Sequence, residues 1–258
     1  MISAKPTENL TGITIEGNFD DFYEITDSIY RMTGFEEDYD DLYWGVKNRL
    51  LAVCYDIRHA YMGDREVKLV DNGVHDEMMK WHSMILPKQE VHYAVKFLFP
   101  EAVFVALSVP ELYLWSRFCY GQRTQKQEEA AAFPALKYSD YIRDKAVIDT
   151  LLAAILGALA EVIGDDELEK LFRLKEHQYG KSFFYYATQY VDKCNLEYLK
   201  TIPEKRKDKL RNIAKRFINQ PASYKNLKSD FEYSAKQHGC SIHELYDPKM
   251  EYPEEIEW

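Results

Sequence analysis

The hydrophobic pattern is clearest between Val91 and Phe118. There Val91, Tyr93, Val95, Phe97 and Phe99 alternate with His92, Ala94, Lys96 and Leu98, the period of a strand. Pro100 ends the strand and opens a helix, because its fixed φ suits a first helical turn. Pro110 predicts a kink or break in that helix. Lys96, Glu101 and Glu111 interrupt the segment, so it does not read as a membrane span.

Upstream, Thr11 to Glu16 reads as a short strand with Ile13 and Ile15 inward. Asn18 is placed to cap a helix carrying Phe22, Ile25, Ile29 and Met32, which ends near Gly34. Leu42, Val46, Leu50, Val53, Ile57 and Tyr61 form one apolar helical stripe. Off it lie Arg49 and Asp56, two turns apart on roughly one face. Val67 and Leu69 face inward on a strand from Glu66 to Val70, and Asn72-Gly73 signals a turn. Asp76 to Leu86 predicts a helix offering Met78, Met79, Trp81 and Ile85 for burial.

After Gly121 to Lys137, a connector in composition, every signal is helical. Ser139 is placed to cap a helix running to Ile163 whose apolar residues cover most of its circumference, the mark of a buried helix. Further helices follow Asp165 and Ser182. Thr201-x-x-Glu204 and Ser241-x-x-Glu244 read as capping boxes. The expected class is α+β: a small three-stranded sheet covered by helices in residues 1–120, a connector at 121–138, and an all-helical region at 139–246. The acidic tail, 247–258, should be extended, either loose or laid along the surface.

Composition adds exclusions. The 258 residues suffice for a full core, as one domain or two lobes. A net charge of −10 disfavours whole-molecule binding to nucleic acid or to an anionic membrane. Cys54, Cys119, Cys194 and Cys240 form no C-x-x-C pair and read as reduced cytoplasmic thiols. The opening residues lack a signal-peptide pattern. Charge is segregated: eleven Lys or Arg face four acids from Lys200 to Lys236. The local balance is +7, leaving −17 elsewhere. A nucleic-acid face through Lys205, Arg206, Lys209 and Arg216 competes there with a solvated helix face held by the acidic body.

Candidate chemistry is sparse. Asp56-x-x-His59 could orient a general base, but no nucleophile is evident beside it. His75 and Glu77 with His82 lack the H-E-x-x-H spacing of a zinc hydrolase. His238, Cys240 and His243 form the most metal-like cluster, although a closed zinc site needs four ligands and only Cys194 suggests itself as the fourth. Glu36 to Asp41, and the acids from Glu161 to Glu169, read more simply as solvated or helix-starting carboxylates than as cation sites. There is no P-loop, G-x-G-x-x-G, G-x-S-x-G or kinase signature, and no cofactor is indicated.

The segments TENLTGITIEGNFDDFYEITDSIYRMTG, NRLLAVCYDIRHAYMGDREVKLVDNG and FLFPEAVFVALS together resemble an uncharacterised bacterial family, found mainly in Firmicutes and classed as a domain of unknown function. The resemblance covers about the first half of the chain. It implies a cytoplasmic bacterial protein and supplies neither an activity nor site residues. The expectation is a binding or regulatory protein acting through contacts with another protein or a second copy. The alternatives are a metal-dependent hydrolase or nuclease near Asp56, His59, His75 and Glu77, and a nucleic-acid binder through the basic helix.

Overall fold

The computed structural model describes residues 2–34, 42–117, 120, 136–178 and 181–258. The acidic run at 36–41, most of the connector and Cys119 lie outside the described residues.

The sheet has four antiparallel strands, β1 (Ser3–Pro6), β2 (Gly12–Gly17), β3 (Glu66–Asp71) and β4 (Gln89–Leu98), in the order β1-β2-β4-β3. The three expected strands are present, and β1 is the addition. Its four residues hold one proline and little apolar content, so no alternation marks it; pairing with β2 creates it. Ile13 lies opposite Phe97 and Ile15 opposite Val95, which puts all four on one face. Each is buried there.

Helices cover that face. The helices of the first half are α1 (Phe19–Thr33), α2 (Trp44–His59), α3 (Asp76–His82), which stands apart from that layer, and α4 (Phe99–Ser116). In the second half they are α5 (Tyr138–Ile163), α6 (Asp165–Glu176), α7 (Gln189–Leu199), α8 (Pro203–Asn219) and α9 (Ala222–His238). Asn18 and Asp21 form a reciprocal capping box at α1, and Gly34 closes it at φ 71°. Elsewhere the caps differ from expectation. At α5 the cap position is Lys137, whose backbone N–H donates to the Asp140 carboxylate at 2.8 Å. Thr201 does not cap α8; its hydroxyl turns back to the Glu197 carbonyl at 2.8 Å, and Pro203 starts the helix after Ile202. Ser241 and Glu244 do form a box, around a single 3₁₀ turn (Ile242–Glu244).

α4 is the central element, packed on α2 and β2 from one side and on α7 and α8 from the other. It continues through Pro110 without a break. Proline removes one hydrogen bond and loosens its turn. Lys175 reaches in from α6 and donates to the Leu107 carbonyl there. Phe104 sits at the centre, its ring 5.4 Å from Phe183, 5.2 Å from Tyr186 and 5.6 Å from Phe217. One buried cluster therefore runs through both halves of the chain. α5 is long and apolar enough to cross a membrane. In this fold it packs against α1, β1, α4 and α6, burying Ile148, Leu151, Ile155 and Leu159.

Candidate interaction surface

The helical layer stops short of one end of the sheet. β4 is buried along its second half and exposed at its start, and β3 pairs with that exposed half. Val67 lies opposite Tyr93 and Leu69 opposite Val91. These four continue the same face as Val95 and Phe97, yet Val67 is 51% and Leu69 67% exposed. The strand pattern of Val67 and Leu69 is that of a buried face, but no helix among the described residues covers them.

α3 joins the two strands. Gly73 turns the chain at φ 78°, and His75 caps α3 by accepting from the Met78 N–H at 3.3 Å. Asn72 Nδ2 donates to the Pro87 carbonyl at 2.9 Å and closes the base of the loop. No residue of α3 is buried. Trp81 is 85% and Ile85 97% exposed, so the burial expected of them does not occur. Among the described residues, this seven-residue helix between two strands of a hairpin has no second layer to pack on. Trp81 and Ile85 together present on the order of 400 Å² of apolar surface, as much as the largest patch on an ordinary monomer. Covering it would return on the order of 10 kcal/mol before ordering costs.

The candidate chemical residues are placed separately. Asp56 pairs with Arg65 at 2.9 Å, and His59 with Asp64 at 2.7 Å. His75 serves as the α3 cap, and Glu77 is exposed in the first turn of the same helix. Asp56 borders an open groove of about 370 Å³ with Arg65, Glu66, Ala94, Lys96 and Trp258; His59, His75 and Glu77 do not line it. Near the end of α9, His238 is exposed and Cys240 half-buried. His243 is tucked against Gly45 of α2, and burial pushes its imidazole down to about 4. Cys194 lies in the core, where burial raises its thiol to about 12. Among the described residues no group of three or more His, Cys, Asp or Glu is arranged to hold a metal.

The basic helix α8 is engaged with the body of the protein. Arg206 is buried and donates to the Thr201 carbonyl, the Asn9 carbonyl and Thr11 Oγ1 at 3.0, 2.5 and 2.5 Å. Lys209 and Arg216 both reach Glu197, at 2.8 and 2.7 Å. Burial would raise the Glu197 pKa, but these two cations outweigh it and hold the carboxyl at about 2.

A polar cluster that local spacing did not reveal lies between α2, α4, α7 and the tail. Arg49 donates to Glu101 at 3.1 Å, to the Thr188 carbonyl at 2.8 Å, and to Asp192. Asn195 donates to Glu101 at 3.2 Å and to the Tyr252 hydroxyl at 3.0 Å, and that hydroxyl donates to Asp192 at 2.9 Å. Burial raises the Glu101 pKa against the pull of Arg49. Tyr252 thereby fastens the tail, which lies along the surface. Farther on, Asn9 donates to the Trp258 carbonyl at 3.1 Å, and the Trp258 ring covers Gly12.

The fold and its surfaces define an α+β protein with a filled core, ion-paired polar groups and one projecting apolar arm. Residues 2–258 match the family described as a domain of unknown function, DUF6904, and the chain belongs to that family. No curated protein and no solved structure matches the chain.

Proposed function

We propose that this is a soluble bacterial binding or regulatory protein of the cytoplasm, acting through protein–protein contacts made by the β3–α3–β4 arm. The observation that carries the reading is the exposure of Trp81, Ile85, Val67 and Leu69 on the same structured arm. Large apolar exposure is what association sites present, and tryptophan is enriched among the residues that dominate their energetics. A photo-crosslinking amino acid at position 81, activated in cells, tests it. Protein adducts that disappear when Ile85 and Leu69 are changed to serine support the reading. A chain that forms no adduct overturns it.

A further inference from the structure

We propose that the occupant of the arm is a second copy of this chain, joined edge to edge through β3 to make one continuous sheet across a two-fold axis. This rests on the docking role assigned to the arm. β3 is the outer strand of the sheet, so one side of its backbone presents N–H and C=O groups outward. Antiparallel pairing of identical strands is isologous and closes as a dimer.

The sequence of β3 selects the register. An axis through Lys68 would set Lys68 against its own copy. An axis through Leu69 would set Val67 against Asp71. An axis through Val67 places valine on valine, and Glu66 opposite Lys68 twice over, so both cross-strand pairs are complementary. Within one chain Lys68 lies 3.5 Å from Glu66 and 3.1 Å from Glu16 across β4, so it shares a sheet face with Glu66 and would swing outward from Glu16 to meet the copy's Glu66.

Sedimentation of the full chain over a range of concentrations, alone and in variants, tests the pairing. The expected result is a species of twice 30.4 kDa. Lys68→Glu sets acid against acid and should weaken it roughly tenfold. Adding Glu66→Lys to Lys68→Glu restores opposite charges across the axis and should recover association; circular dichroism checks that each variant is folded. A dimer indifferent to both variants, or a variant not rescued by the double change, overturns the β3 pairing. A strictly monomeric protein overturns it too. The docking role survives that last result if position 81 still crosslinks to another protein, and falls if it crosslinks to none.

Discussion

Arg31 holds Asp144 with two parallel hydrogen bonds, Nε to Oδ2 at 2.8 Å and Nη2 to Oδ1 at 2.6 Å. The carboxylate is wholly buried, and Tyr120 and Ser28 donate to it as well, at 3.1 and 3.3 Å. This bidentate pair ties α1 to α5 across 113 residues of sequence. Removing Arg31 leaves the buried carboxylate only a longer ion pair to Arg143 at 3.6 Å, whereas removing Asp144 leaves Arg31 paired with Asp27. Arg31→Ala should therefore cost about 3 kcal/mol or more in urea unfolding, and Asp144→Ala less. The double variant should cost less than the two losses added together, because the pair acts as a unit.

Glu197 should shape the acid limb of stability. Its carboxyl is held at about 2 in the fold, against 4.5 as the ordinary value. A depressed carboxylate contributes stability that is fully present above pH 4.5 and is lost as pH falls toward 2. Because the group is partly open to solvent, the contribution is about 1–2 kcal/mol. Glu197→Gln should remove it, flattening denaturant midpoints measured between pH 4.5 and 2.

His243 acts in a higher window. Burial, with Lys228 nearby, lowers its imidazole to about 4 from 6.5. The folded state refuses a proton that the unfolded state accepts, so stability is full above pH 6.5 and declines as pH falls to 4. The decline should be about 1–2 kcal/mol after allowance for solvent. An NMR titration should find the His243 ring neutral at pH 5.5, and His243→Gln should abolish that part of the slope.

Gly12→Ala should be among the most damaging single-methyl additions. The new Cβ would lie 1.9 Å from the Phe97 carbonyl oxygen and 2.9 Å from the Trp258 ring. The tryptophan can swing aside, but the paired backbone of β4 cannot. Overpacking of this kind costs about 3 kcal/mol or more, and the melting temperature should fall by roughly 5 °C or more.

What the sequence disclosed follows the reach of each interaction. The α1 cap, the α2 stripe, the alternation of β4 and the buried face of α5 arise between residues a few positions apart, and each was readable, although α5 is buried over less of its girth than its composition suggests, with Ile142 50% exposed. Strand β1 was not, because only its pairing with β2 defines it. Trp81 and Ile85 misled in the opposite way: an apolar helix pattern signals burial only where a second layer exists. Arg49 stands seven residues from Asp56, but its partners Glu101 and Asp192 lie 52 and 143 positions away, and Asp56 turns instead to Arg65. No local spacing encodes such a cluster. Tyr252 could have been singled out as a tyrosine in an acidic tail, yet nothing nearby announced its polar seat on Asn195.

Consider finally Phe104, with rings from Phe183, Tyr186 and Phe217 closing round it. α4 is supplied by the first half of the chain, but much of the wall that encloses it comes from the second. Produced alone, residues 1–120 would carry a greasy rod with one side stripped, and residues 136–258 an empty seat for it. The two pieces made together in one cell should find each other and co-purify as a one-to-one particle, held without any peptide bond between them.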